Sequence, residues 1–235
     1  MSIAENIAAI REKMNAAAIT AGRDPKDILL CAATKMNGTN AVQQAIAAGV
    51  DCCGENRVQE LTQKLSEDAY AGAPVHFIGH LQTNKVKQVV GKVDLIQSVD
   101  SERLAAAIHT QAVKIGIVQD ILLEVNIANE ASKSGFTVQE LYSFLENASA
   151  FSGICIRGLM AIPPITQNST DNHKFFQEMY NLSVDITAKK YDNVLVDILS
   201  MGMSDDYADA IACGSTMVRI GTAIFGARDY VLSHR

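Results

Sequence analysis

The feature that most constrains the fold is an alternation of short apolar runs with helical segments, repeated eight times along the chain. This order predicts parallel strands joined by helical crossovers. Eight such units in 235 residues fit a closed (β/α)8 barrel of the TIM type. The apolar runs that we predict as strands are 28–33, 50–53, 75–78, 95–97, 121–125, 154–159, 197–199 and 217–220.

One helix stands outside this repeat. Residues 2–21 have the apolar spacing of an amphipathic helix, closed by Gly22, and predict an extra N-terminal helix ahead of the barrel. The alternative fold is an open doubly wound sheet, but no Gly-x-Gly-x-x-Gly sequence follows any predicted strand. No linker or low-complexity tract divides the chain, so we expect residues 1–235 to form one domain.

Three connections carry more specific predictions. Residues 84–90 are predicted to form a helix, and Ser204 is predicted to cap another helix that ends at Ala212. The polar loop 163–168 is a candidate mobile flap.

Composition limits the classes of partner that this chain is expected to bind. A formal net charge of -6 gives no support for nucleic-acid binding. No apolar run approaches membrane-spanning length, and the first residues do not resemble a signal peptide. The 5 cysteines lie mostly in apolar runs and indicate small buried side chains in a reducing compartment. We therefore expect a cytoplasmic protein, with no membrane and no nucleic acid among its partners.

Polar residues and glycines gather where the predicted strands end. In barrels of this type the loops after the strands build the functional face. Nearly every strand supplies such a group, namely Thr34-Lys35, Gly54-Glu55-Asn56, Gly79-His80, Ser98, Asn126, Met160, Ser200-Met201-Gly202 and Arg219-Ile220-Gly221-Thr222.

Lys35 follows an apolar run that contains no other charge. Burial would lower the pKa of its ammonium, and a neutral amine attacks aldehydes. The alternative is a lysine that extends to solvent. The last strand ends at a Gly221-Thr222 turn, whose backbone N–H groups could bind phosphate. First and last strands adjoin in a closed barrel, so an amine beside a phosphate turn indicates pyridoxal 5′-phosphate (PLP).

Arg219 stands between these two groups. A guanidinium can only donate hydrogen bonds, so a pyridine nitrogen that faces it must remain unprotonated. Such a ring is a weak electron sink. The alternative is a structural arginine paired with a core carboxylate such as Glu124 or Asp197, and spacing alone does not separate the two.

The remaining candidates each have two interpretations. His80 either lines the pocket or is structural, and Lys133 is either a second amine over the pocket or solvated. Ser200 and Ser204 flank a tight loop after the seventh strand that includes Met201 and could offer hydroxyls to phosphate, although Ser204 could equally be a helix cap. His76 and His80 do not converge on a strand, and no acidic cluster accompanies them, so the sequence predicts no metal site.

Several stretches together resemble the YggS/PROSC family of PLP homeostasis proteins, and the resemblance spans nearly the whole chain. They are Ala33-Thr34-Lys35, Gly54-Glu55-Asn56-Arg57-Val58-Gln59-Glu60, His76-Phe77-Ile78-Gly79-His80-Leu81-Gln82-Thr83-Asn84-Lys85, Arg157-Gly158-Leu159-Met160, Leu199-Ser200-Met201-Gly202-Met203-Ser204 and Val218-Arg219-Ile220-Gly221-Thr222-Ala223-Ile224-Phe225-Gly226.

The resemblance implies an alanine-racemase-like barrel of fold type III, with PLP held by Lys35 as a Schiff base. It places Asn56 near the ring and Arg219 at the pyridine nitrogen. It also implies that Ser200, Gly221 and Thr222 hold the phosphate. The family usually has Thr-Lys-Pro after the linking lysine, where this chain has Met36-Asn37-Gly38. This chain therefore has Asn37 at the position of the second lysine of that pattern.

Three function classes follow from these observations. The favoured one is a non-catalytic carrier that buffers PLP, acts as a monomer and has PLP-dependent apoenzymes as candidate recipients. A fold type III racemase or decarboxylase is the second. It needs acid/base groups on both faces of the cofactor, and the related racemases draw one from an additional domain for which this chain has no room. The third is a phosphate-binding barrel enzyme without PLP, in which Lys35 acts as an aldolase-like base.

Overall fold

Eight parallel strands form a closed barrel in the order of the sequence, as the alternation predicts. The computed structural model describes residues 1–130, 133–163 and 169–226. The strands are β1 (Leu29–Ala33), β2 (Cys52–Glu55), β3 (Val75–Phe77), β4 (Leu95–Val99), β5 (Gln119–Glu124), β6 (Ile154–Met160), β7 (Val194–Ser200) and β8 (Met217–Ile220).

Helices surround the barrel and connect its strands. They are α1 (Ile3–Thr20), α2 (Thr39–Ala47), α3 (Val58–Ser66), α4 (Glu102–Ile115), α5 (Val138–Leu145), α6 (Ser169–Lys189), α7 (Tyr207–Ala212) and α8 (Thr222–Phe225), with shorter 3-10 turns at Pro25–Asp27, Thr83–Gln88 and Ala148–Ala150.

The barrel closes between its first and last strands. Cys31 pairs with Arg219 and Ala32 with Ile220 across the β1–β8 ladder. The ends of these two strands are therefore neighbours in space although they lie far apart in the sequence. This closure brings Lys35 to the same edge as the turn that follows β8.

The extra N-terminal helix is present and covers this seam. Ser2 and Glu5 form a capping box at its start, and Ile7, Ile10 and Met14 are buried on its inner face. α1 contacts α2, α7 and α8, which flank the first and last strands. Asn6 Nδ2 donates to the Ile224 carbonyl at 2.8 Å, so α1 is fixed directly to the helix that follows β8.

Two predicted helices differ from the structure. Residues 83–88 form a 3-10 helix, because Val86 and Val89 lie three apart and both face the core. α7 begins at Tyr207, so Ser204 is not its cap. The Met203 N–H donates to Asp206 Oδ1 at 2.6 Å, and this turn replaces the expected first turn of the helix.

The candidate flap lies largely outside the described residues, since only Pro163 of the loop 163–168 is among them. Within the described ranges, none of the helices has both the length and the apolar character needed to cross a bilayer.

Among the described glycines, one within β6 that pairs with β7 is the position where the fold tolerates a side chain least. Gly158 has φ +143°, and a Cβ there would lie 1.8 Å from the Ile198 carbonyl oxygen. We expect Gly158→Ala to lower the free energy of unfolding by at least about 4 kcal/mol, measured by urea titration. Gly116→Ala is the control. Its φ of +74° is also left-handed but no atom lies within 4 Å, so its loss should be only about 1–2 kcal/mol. Equal losses would show that backbone strain, and not the contact with Ile198, sets the cost.

Candidate functional site

The turn after β8 lies directly against the end of β1. A Cβ built on Gly221 would lie 3.4 Å from both the Cβ and the carbonyl oxygen of Ala33, two residues before Lys35. Lys35 itself is half-buried. The structure thus brings this turn against the backbone of β1, two residues before Lys35.

Gly221 has a backbone conformation that does not require glycine. Its φ of -118° and ψ of -74° lie outside the left-handed region, so other residues can adopt them. A glycine at this position therefore leaves space above the turn for a ligand, and its conformational flexibility is not required.

Ser204 meets the same turn through its side chain. Its Oγ lies 3.4 Å from the Ala223 N–H and accepts from it. Thr222 begins α8 and is exposed. The first N–H groups of a helix have no partner within the helix, so this turn presents donors to the barrel mouth.

Arg219 is buried, at 4% exposure, and is held by neutral groups. Its Nη1 donates to Ser200 Oγ at 2.6 Å and its Nη2 to the Ala161 carbonyl at 2.9 Å. Asp197 pairs instead with Arg157, and no carboxylate of a described residue forms an ion pair with Arg219. The structural pairing with Glu124 or Asp197 is therefore not found.

Burial shifts the pKa values of both charged groups near this mouth. Desolvation lowers the pKa of Arg219, and the charges of Cys31, Glu124 and Asp206 partly offset it. Desolvation also raises the pKa of Glu124, with Asp100 acting in the same direction and Arg219 and His80 opposing it. An arginine still remains cationic, so the mouth contains one fixed donor without a carboxylate partner.

Ser200 supports Arg219 from inside the barrel. It is fully buried, accepts from Arg219 and donates to Gln97 Oε1 at 2.7 Å. Its hydroxyl is therefore engaged below the guanidinium, which does not favour the direct phosphate contact that the resemblance implies. Met201 is also fully buried, and its N–H donates to the Met217 carbonyl at 3.1 Å, so it contributes to the packing of this strand end.

Asn56 carries a buried polar atom that has no partner in the described part of the chain. This atom is its Oδ1, whereas its backbone N–H donates to Glu55 Oε1 at 2.9 Å. A Cβ on Gly79 would lie 2.1 Å from the Asn56 carbonyl oxygen, so close packing fixes this backbone. An unsatisfied buried acceptor carries a free-energy penalty, and a bound ligand with a donor would remove it.

His80 and Lys133 lie at the rim. His80 is mostly exposed, with a side-chain exposure of 62%, and its Nδ1 lies 3.2 Å from Asp100 Oδ2. Lys133 Nζ lies 3.4 Å from the Ile162 carbonyl and 3.7 Å from Glu130 Oε2. It lines a cavity of about 190 Å³ together with Glu124 and Asn126.

Sequence reasoning missed a buried network behind Lys35. Glu55 is fully buried, and its Oε2 accepts from Lys64 Nζ at 2.5 Å and from both Thr34 Oγ1 and Tyr70 OH at 3.1 Å. Lys64 Nζ also donates to the Thr34 carbonyl at 2.8 Å. The residue before Lys35 is thus fixed through both its side chain and its backbone.

The other side of the Lys35 turn is fixed as well. Met36 has φ +62°, and its N–H donates to Glu60 Oε2 at 2.6 Å. Asn37 Nδ2 donates to the Lys35 carbonyl at 3.0 Å. Asn37, where the family usually has a lysine, therefore stabilises the turn. One sequence signal could have revealed the network. Glu60 and Lys64 lie four residues apart on α3, and this helix follows shortly after the glutamate that ends β2.

The Glu55–Lys64 pair generates a stability prediction. Glu55→Gln leaves the buried Lys64 ammonium with only the more distant Glu60 carboxylate, at 3.7 Å, and we expect a loss of about 3–5 kcal/mol in the free energy of unfolding. Lys64→Met should cause a loss of similar size. The double variant should lose much less than the sum, because both charges are then absent, and a double-mutant cycle by urea titration measures this coupling.

The control for this cycle is Lys189→Met. Lys189 pairs with Asp185 at 3.1 Å, but both side chains are about half exposed. Its removal should change stability by no more than about 1 kcal/mol. Strictly additive losses in the Glu55 and Lys64 variants would contradict a coupled buried pair.

Comparison with known proteins places the chain among its relatives. Residues 2–229 match the family described as alanine racemase, N-terminal domain. The pyridoxal phosphate homeostasis protein of Pasteurella multocida is 39% identical over 232 residues, which are 98% of this chain and 99% of the relative. The protein of the same name from Escherichia coli K12 is 40% identical over 231 residues, 97% of each chain.

Solved structures agree with this relationship. PipY of Synechococcus elongatus, described with PLP bound, has a TM-score of 0.83 at 31% identity, and the match covers 96% of this chain and 100% of PipY. An alanine racemase of Clostridium difficile has a TM-score of 0.71 at 14% identity, with 97% of this chain matching 57% of the racemase, and so shares the fold. The chain therefore belongs to the alanine racemase N-terminal domain family and, within it, to the pyridoxal phosphate homeostasis proteins.

Proposed function

We propose that this chain binds PLP at the carboxyl end of its barrel and acts as a non-catalytic carrier that keeps the cofactor available. The observation that carries the proposal is that the Gly221 turn lies against Ala33, two residues before Lys35 in the chain. The names of the full-length relatives and the PLP-bound PipY structure support it.

The donor set fits PLP. The cofactor has an aldehyde for a primary amine, a phosphate for turn N–H groups, and a phenolic oxygen and a ring nitrogen for polar side chains. Lys35 offers the amine, and the turn at Gly221 and Thr222 offers the N–H groups. The unpaired Oδ1 of Asn56 offers an acceptor that the protein itself does not use.

Each residue has a distinct role in this proposal. Lys35 Nζ forms the covalent link, and the buried pair behind it holds its backbone in place. Gly221 and Thr222 bind the phosphate through the backbone, and Ser204 positions this turn. Arg219 donates to the ring nitrogen with N–H groups that Ser200 and Ala161 do not occupy. Ser200 accepts a hydrogen bond from Arg219, and the buried Met201 packs at the same strand end, so both support the site from the barrel interior.

The same arrangement favours a carrier over a racemase or decarboxylase. A racemase needs a second base across from the linking lysine. Among the described residues at the rim, the amine of Lys133 faces Glu130 and the imidazole of His80 faces Asp100. Arg219 keeps the facing nitrogen unprotonated, which weakens the ring as an electron sink. We expect no amino-acid turnover above that of free PLP.

The wider setting of this function is also a proposal. We propose that residues 1–235 form one domain that works as a monomer in the cytoplasm, without a nucleic-acid partner. PLP-dependent apoenzymes are the proposed recipients. The exposed rim around His80 and Lys133 is where such a recipient would approach the bound cofactor.

The first test concerns the covalent link. Addition of PLP should give a visible absorption band that borohydride removes, and peptide mapping should find the reduced cofactor on Lys35. Lys35→Ala should lose the band, because the nucleophilic amine is gone. Phosphate and ring contacts remain in that variant, so weaker non-covalent binding should persist.

Two lysines provide the controls for this labelling. Lys133→Ala removes the other amine near the mouth, and Lys87→Ala removes an exposed amine on the 3-10 helix 83–88. Both variants should retain the band. A reduced cofactor found on Lys133 with Lys35 unmodified would overturn the assignment.

The second test concerns the phosphate turn. Gly221→Ala should fold and bind PLP nearly as the parent does, because φ is permissive and the new Cβ only touches Ala33. Gly221→Val adds two methyl groups beyond this Cβ, above the turn. We expect a more than tenfold loss of affinity for PLP, roughly 1.4 kcal/mol or more. Affinity is measured by spectroscopic titration after circular dichroism has verified folding. Unchanged affinity in a folded Val variant would rule out this turn as the phosphate site.

A further inference from the structure

We propose that Cys31, Cys52 and His76 form a binding site for a thiophilic metal ion, Zn²⁺ or Cu⁺, inside the barrel. One ligand atom from each of the three residues lies within 4.8 Å of the other two. All three side chains are buried, at 0%, 2% and 6% exposure. The site is separate from the proposed PLP site and does not depend on it.

The barrel explains why these three residues meet. Cys31 and Cys52 are register partners on the adjacent strands β1 and β2, so their side chains point to the same face. His76 on β3 pairs with Gly54, two residues after Cys52, and therefore shares that face. A Cβ on Gly54 would lie 2.9 Å from Cys31 Sγ, so the glycine leaves the room that this sulfur uses.

The chemistry of the group selects the metal. Two thiolates and an imidazole suit Zn²⁺ and Cu⁺, whereas Mg²⁺ and Ca²⁺ prefer oxygen ligands. The cluster contains no carboxylate. Met217 belongs to the same buried cluster as both cysteines, and its Sδ accepts from Gln97 Nε2 at 3.1 Å. The fourth ligand would be this thioether, released from Gln97, or a water molecule. Tetrahedral coordination needs only small movements from these separations, since Zn–S and Zn–N bonds are about 2.0–2.3 Å.

The group that holds His76 links this site to Arg219. Gln97 Nε2 lies 2.9 Å from His76 Nδ1, which leaves Nε2 of the imidazole for the metal. A metal on Nε2 places the proton on Nδ1, so the Gln97 amide must turn its oxygen towards it. Gln97 also accepts from Ser200, which in turn accepts from Arg219. Metal binding would therefore rearrange the hydrogen bonds beneath the guanidinium.

Cys53 offers a matched control within the same strand. It is fully buried, but it follows Cys52 directly, and successive residues on a strand point to opposite faces. It packs in the main hydrophobic cluster between barrel and helices and not with Cys31, Cys52 and Met217. Cys53→Ser therefore removes a buried thiol without touching the proposed ligands.

The experiment is a titration of reduced, metal-free protein with Co²⁺ and then Zn²⁺, repeated after refolding in the presence of metal because the site is buried. We expect one Co²⁺ per chain with a thiolate charge-transfer band in the near ultraviolet, which Zn²⁺ then removes. Cys53→Ser should bind as the parent does. Cys31→Ser, Cys52→Ser and His76→Gln should each lower the affinity for Zn²⁺ by at least about 10–100-fold. A loss of this size is seen even when only a residue that hydrogen-bonds to a metal ligand is removed.

Two results would overturn the proposal. One is the absence of a charge-transfer band in the folded parent protein under both loading conditions, which needs no variant. The other is a band that persists in Cys31→Ser/Cys52→Ser, since the metal would then be bound elsewhere. If that double variant does not fold, alkylation decides: Zn²⁺ should protect Cys31 and Cys52 of the parent but not Cys53, and equal reactivity with and without Zn²⁺ counts against the site.

Discussion

The site depends on one buried charge that forms no ion pair with a carboxylate of the described residues. Arg219 is surrounded by protein, yet its hydrogen-bond partners among the described residues are a hydroxyl and a backbone carbonyl, on or beside β7 and β6. A buried cation is stable only when its N–H groups are satisfied, and this guanidinium has more donors than these two partners use. The barrel mouth therefore favours a ligand that brings acceptors. The buried Oδ1 of Asn56 has no partner among the described residues, so the same ligand would also gain by bringing a donor.

A second buried charge determines how firmly Lys35 is held. The Glu55–Lys64 pair contacts Thr34 through its side chain and its carbonyl, while Glu60 holds Met36 in a left-handed conformation. Fixing this turn before the ligand arrives reduces the entropy lost on binding. A carrier benefits from such preorganisation, because the covalent link then forms and breaks without reshaping the backbone.

The sequence predicts the barrel well because its pattern is local. Eight apolar runs separated by helical segments allow few parallel arrangements, and closure makes Lys35 and Gly221 neighbours. The Glu55 network was missed because its members come from the end of β2, from α3 and from Tyr70, which converge only in three dimensions. The proximity of two cysteines to His76 was not foreseen for the same reason: His76 was compared with His80 along one strand, whereas the cysteines lie on other strands of the barrel. Ser204 was misread as a helix cap because Asp206 forms the competing turn.

The central claim is that Arg219 faces the ring nitrogen of bound PLP and keeps it unprotonated. Nitrogen NMR of the protein loaded with PLP labelled with ¹⁵N in the ring measures this directly. The predicted result at neutral pH is the chemical shift of a neutral pyridine that accepts a hydrogen bond, changed in a folded Arg219→Gln variant. A pyridinium shift in the parent protein, or one that the substitution leaves unaltered, would contradict the account.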